Sequence, residues 1–166
     1  MMDFLRFIEQ TSFSQWVTGS SSVFAFPSIL LLHTIGMGVV VGLNAGLDLR
    51  ILGLAPALPI APLERFFPFL WAGFWVNATT GAILLAADAT TKATNPDFYV
   101  KMGFIALALI NLSILRKRVF RDPLIDKKPL SSDVKLLAVT SMIFWLGAIT
   151  AGRLMAYVGP VSGLTK

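Results

Sequence analysis

The chain has 166 residues, no cysteine and a single histidine; 55% of the residues are hydrophobic and only 14% charged. Soluble domains carry about 25% charged residues, so the composition points away from a water-soluble globule. The residue inventory also excludes disulfides, thiolate metal sites, cysteine nucleophiles and any multi-histidine metal centre or bis-histidine haem built by this chain alone. The net charge of +5 does not mark a nucleic-acid binder, because the basic residues bunch at the ends of apolar blocks, where they act as topology signals in a bilayer.

The first element predicted is a short amphipathic helix over residues 3–18. Phe4, Leu5, Ile8, Phe13, Trp16 and Val17 are interleaved with Asp3, Arg6, Glu9 and Gln10, which is too polar to span and suits a helix lying on the membrane surface. The acidic residues at this end are unlike the basic start of a cleaved signal peptide. Four apolar spans follow, at about 23–47, 66–87, 98–115 and 136–158, each near the roughly 20 residues that cross the hydrocarbon core. Pro27 and Pro68 fall near span starts, where a missing amide donor matters least. The connection 51–63 is rich in Pro and Leu, 90–97 is a short polar loop, and 116–133 is longer and strongly basic. The expected fold is therefore all-α: one four-helix transmembrane bundle, residues 1–166, with an N-terminal amphipathic interfacial helix.

Counting lysine and arginine sets the expected orientation. One side carries Arg50, Arg65, Arg116, Lys117, Arg118, Arg121, Lys127, Lys128 and Lys135; the other carries Arg6, Lys92, Lys101 and Lys166, with Arg153 inside a span. The richer side is expected to be cytoplasmic. Both termini then face the periplasm of a bacterium, and the chain is a multi-pass protein of its inner membrane.

The first span presents two faces. At 100° per residue His33, Met37, Val40, Asn44 and Asp48 form one stripe, and Gly38, Gly42 and Gly46 lie opposite. A small-xxx-small ridge lets another helix approach closely, whether from this chain, from another membrane subunit or from a second copy. Asp48 and Arg50 read as capping the end of this helix. The second span places Gly73, Asn77, Thr80, Gly81 and Asp88 on one face. The third aligns Lys101 with Ala108, and Asn111 flanks them. The fourth aligns Met142, Leu146, Ile149, Thr150 and Arg153.

At about 1.5 Å of rise per residue, His33 sits roughly 15 Å below the outer boundary, near mid-membrane. An ionisable group held there is by default a functional-site hypothesis. Met37 and Met142 lie near its depth, with Lys101 and Arg153 in a cationic layer above. Such a site suits a haem b, with His33 as the metal ligand and the cations neutralising propionates. It equally suits a quinone hydrogen-bonded by His33 and Asn77. The plainer alternatives are that His33 only bonds a neighbouring helix, that the cations snorkel, and that the methionines and tryptophans pack or anchor. The sequence contains no Ser/His/Asp set, phosphate-binding loop or dinucleotide fingerprint, so an accessory role is expected rather than catalysis.

The stretch from Leu32 to Leu54, with its L-H-T-I-G-M and D-L-R-I-L-G segments, resembles a bacterial integral-membrane family of unassigned function. The resemblance continues through the segments beginning at Phe67, Thr80 and Asn95, as far as about Leu115. More distantly, the layout is similar to copper-resistance D proteins and HemJ-type protoporphyrinogen oxidases. Those share an L-H-x-x-G/A first helix, a T-G in the second and a lysine opening the third. That likeness maps their histidine onto His33 and their lysine onto Lys101. It implies haem b binding or, as alternatives, porphyrinogen oxidation or copper uptake. This chain has neither the additional histidines those proteins often carry nor a Met/His-rich copper motif.

Overall fold

A computed structural model describes residues 2–157. Every regular element among them is helical: α1 (Met2–Glu9), α2 (Ser12–Gly19), α3 (Phe26–Ile51), a 3-10 turn (Ala61–Phe66), α4 (Phe67–Ala87), α5 (Ala89–Thr94), α6 (Pro96–Phe120) and α7 (Ser132–Tyr157). Helices α3, α4, α6 and α7 are long and apolar enough to cross a membrane. The chain is thus an all-α, multi-pass membrane protein. Helix α4 stays within its expected span, whereas α3, α6 and α7 overrun theirs at one or both ends, because intrahelical hydrogen bonds keep satisfying the backbone after the hydrocarbon ends. Val158, the expected last residue of the fourth span, and Lys166 lie outside the described residues.

The four long helices pair as two antiparallel hairpins, α3 with α4 and α6 with α7. The hairpins meet through α3 and α7, whereas α4 and α6 barely touch. Small residues explain the tight pairs. In the first hairpin the backbone at Gly36 lies against α4, so a Cβ there would stand 2.8 Å from the Asn77 amide nitrogen and 2.9 Å from the Gly73 carbonyl. In the second, the Phe104 ring lies over Gly147, where a Cβ would meet it at 2.7 Å. The shared core is apolar, with Val40, Leu47 and Ile51 from α3 against Leu112, Leu115, Ala138 and Trp145.

Both ends of the bundle are closed by loops. At the basic end the Asp126 carboxylate accepts from the Ile60 and Ala61 amides at 2.6 and 3.1 Å, joining the two connections on that side. Arg116 pairs with Glu64 at 3.3 Å and stacks 4.7 Å over the Phe67 ring. At the other end the amphipathic segment differs from expectation. It is two helices, broken at Gln10–Thr11, where the Thr11 hydroxyl caps α2 by accepting from the Ser14 amide at 3.3 Å. It is also docked. Glu9 accepts from the amide and the hydroxyl of Thr90, both at 2.7 Å, and the Ser14 hydroxyl donates to the Ala86 carbonyl at 3.2 Å. Phe4, Phe7, Phe13 and Trp16 stay exposed, as an interfacial element requires. The expected loop at 90–97 contains α5. There the Lys92 ammonium donates to the Leu84 carbonyl at 2.6 Å, and burial draws its pKa below the ordinary lysine value.

Candidate functional site

His33 lies on α3 one turn before Gly36, and Asn77 lies on α4 one turn after Gly73. The close backbone approach at those two glycines lets each polar residue reach the other's main chain. The Asn77 amide donates to the His33 carbonyl at 2.7 Å, and His33 Nδ1 stands 3.0 Å from the Asn77 carbonyl and 3.1 Å from the Thr80 hydroxyl. A carbonyl can only accept. The Thr80 hydroxyl spends its own proton on the Val76 carbonyl at 2.6 Å, so it too accepts from the ring. Nδ1 therefore carries the imidazole proton and Nε2 the lone pair. Among the described residues Nε2 has no hydrogen-bond partner. On the ring's other flank Gly81 leaves room, since a Cβ there would lie 3.0 Å from His33 Cε1.

His33 lines a cavity of about 370 Å³ between α4 and α6, at the level where those helices fail to meet. Met37 and Val40 continue its wall along α3, Trp145 closes it from α7, and Asn77 and Lys101 add polar groups from opposite sides. Otherwise the lining is apolar. Ala82, Met102 and Ala106 are both lining and exposed, so the cavity opens sideways, toward the surface that faces lipid. Volume and lining fall within the range of small-molecule sites.

Of the six residues singled out in the sequence, the structure brings four together: His33, Met37, Asn77 and Lys101. Met142 is not among them; it lines a separate recess with Val41, Ala45, Asp48, Trp145 and Leu146. Arg153 is exposed and does not reach the cavity. Both corrections have one cause. The inward face of α7 is Val134, Ala138, Ser141, Trp145, Ala148 and Ala151, whereas Leu146, Ile149 and Thr150 are exposed. Helical periodicity groups residues by angle, but it does not say which group points inward when two neighbouring faces are both largely apolar with a few polar residues. Lys101 makes no ion pair among the described residues, and its stem passes Gly152 of α7, where an added Cβ would stand 3.6 Å from it.

The first-helix glycines also sort differently. Gly38, Gly42 and Gly46 are exposed, and a Cβ at any of them would meet nothing within 4 Å. The glycine that does pack is Gly36, which sequence reasoning passed over. The available signal was the reciprocal spacing of Gly36 after His33 and of Gly73 before Asn77. Asp48 is not an end cap. It is 1% exposed and accepts from the Asn44 amide at 2.6 Å.

No protein-family model, characterised protein or solved structure matches this chain.

Proposed function

We propose that this protein is a small four-span subunit of a larger membrane complex that binds a quinone at His33. One observation carries the reading. Two acceptors tie down the Nδ1–H of the lone histidine, so its ring orientation and tautomer are set, and the lone pair on Nε2 is left for a ligand beside an apolar cavity with a lateral mouth. A quinone has a flat apolar ring with oxygens at opposite edges and an apolar tail. A quinol hydroxyl can donate to Nε2, and the Lys101 ammonium or the Asn77 side chain is available for the second oxygen. The tail leaves between α4 and α6 into lipid. A bound quinone would supply two-electron, two-proton chemistry; the residues of this chain orient it and exclude water.

A haem b fits less well. Met37 sits one turn along His33's own helix and Met142 faces another recess, so neither stands opposite the imidazole as a second ligand. Lys101 alone of the two expected cations is at hand for two propionates. The test is direct. Protein gently extracted in mild detergent should release quinone on solvent extraction and show no Soret band. The quinone should be lost in His33→Ala and diminished in Gly81→Ala, which crowds the ring. A Soret band dependent on His33 would replace quinone by haem, and a ligand-free preparation would end the cofactor reading.

The subunit half of the reading rests on the exposed ridge Gly38, Gly42 and Gly46, which offers a partner helix close approach. Gly42→Leu should abolish co-purification of partner subunits, or of a second copy, while leaving the fold intact. A monodisperse monomer from mild detergent would count against it. Placement in a bacterial inner membrane with both termini periplasmic is supported by the basic end formed by the 51–66 and 121–131 connections. The cysteine-free chain makes that testable by labelling single cysteines introduced at Ser12 and Lys127 from either side of the membrane.

A further inference from the structure

On the same face of α3, nearer the basic end, a second polar group lies deeper in protein than His33. Asn44 and Asp48 are 0% and 1% exposed, and Ser141 of α7 is 1% exposed. The Asn44 amide nitrogen donates to Asp48 Oδ2 and to Ser141 Oγ, both at 2.6 Å. Among the described residues Asp48 Oδ1 and Asn44 Oδ1 have no hydrogen-bond partner.

No cation compensates the carboxyl: among the described residues none of the ion pairs involves Asp48. On its own helix, Arg50 is turned to the Leu58 and Pro56 carbonyls at 2.5 and 3.1 Å. From α7 the neighbours are Ser141, Met142 and Trp145, and the titratable residues of that helix's start, Asp133 and Lys135, are exposed, Asp133 facing Arg118 at 3.8 Å. From the 3-10 turn Glu64 is taken by Arg116, and Arg65 donates to the Pro62 carbonyl at 3.0 Å. An isolated carboxylate is strongly disfavoured in such surroundings.

We infer that Asp48 is a proton-binding site sealed inside the helix bundle, where burial without a compensating cation favours the neutral carboxylic acid and Asn44 and Ser141 complete the polar cluster around it. Binding is simple protonation: a proton joins one carboxylate oxygen, and nothing is oxidised or cleaved. The neutral acid removes the uncompensated charge and supplies an O–H donor to a cluster that holds two acceptors without donors. Among the described residues no group of three or more His, Cys, Asp or Glu side chains could hold a metal ion, whereas a proton needs only one carboxyl oxygen. A recess of about 90 Å³ adjoins the carboxyl, and its wall includes Trp145, which also walls the His33 cavity. The buried indole N–H of Trp145 is itself without a partner among the described residues, so a polar group stands between the two sites. The proposal does not depend on which ligand the His33 cavity takes.

The test uses the full chain in lipid nanodiscs and the isosteric Asp48→Asn, which retains an acceptor for Asn44. Infrared difference spectra should show the carbonyl stretch of a protonated carboxyl near neutral pH. That band should fade in strongly alkaline buffer, be absent from Asp48→Asn and persist in His33→Ala. Dicyclohexylcarbodiimide, which attacks protonated carboxyls in apolar surroundings, should modify Asp48 as located by mass spectrometry, with loss of the adduct in Asp48→Asn. A wild-type spectrum lacking the band, or a band that sodium ions abolish at constant pH, would overturn the inference.

Discussion

Helix α3 carries two polar levels on one face, and they are built in opposite ways. At His33 the ring Nδ1 and the main-chain carbonyl both have partners on α4, Nε2 has none among the described residues, and the residue lines a cavity. At Asp48 the polar atoms are shut in, and two of them, Asp48 Oδ1 and Asn44 Oδ1, have no partner among the described residues. The difference comes from the neighbouring helix. Beside His33 that neighbour is α4, drawn in by Gly36 and Gly73 and then left unpaired with α6, so a cavity opens behind the imidazole. Beside Asp48 the neighbour is α7, and the seam closes over Asn44, Ser141 and the carboxyl. A polar group beside a cavity and a sealed polar cluster therefore arise from residues of similar chemistry on a single helix.

The largest effect should come from disturbing the contact that creates the first level. Gly36→Ala sets a Cβ against backbone atoms of α4 at under 3 Å, and neither atom can swing aside. It should cost about 1–3 kcal/mol in detergent unfolding and separate His33 from Asn77. Asn77→Ala keeps the helices in place but removes the donor to the His33 carbonyl. Its expected cost is about 0.6–1.7 kcal/mol, the range for interhelical hydrogen bonds in membranes, measured in the same unfolding assay.

Smaller still is Thr80→Val. Nδ1 keeps its Asn77 acceptor, so stability should fall by at most about 0.6 kcal/mol. The chain has one histidine, so its imidazole nitrogen resonances are unambiguous in ¹⁵N NMR. They should report the Nδ1–H tautomer in both wild type and Thr80→Val. An Nε2–H tautomer in the wild type would break the contrast drawn between the two levels. The smallest effect belongs to Gly42→Ala. Open space surrounds that position, so unfolding of the isolated chain should be unchanged, and any loss should show only in association with a partner helix.

How legible these features were in sequence follows from their range. His33 could be found because a lone imidazole in an apolar run stands out, and Asn77 and Lys101 because their periodicity put them on plausible faces. Gly36 was hidden among four glycines of one helix that look alike until a neighbour is placed. The fate of Met142 and Arg153 turned on the rotation of α7. Asp48, three residues from a helix end, looks in sequence like a cap beside Arg50. Only the position of Ser141, 97 residues away along the chain, shows it to be interior.

The amino-acid sequence alone determined that this chain forms long helices suited to a bilayer, because hydrocarbon leaves the backbone few ways to satisfy itself and the apolar blocks have the length to span. It also determined the basic end, since charge collects where water is. Tertiary structure alone decided which helix pairs close and which stays apart. That choice depends on the fit of small residues across an interface, and it settles which polar atoms find partners, which are left facing a cavity, and which are sealed away from water.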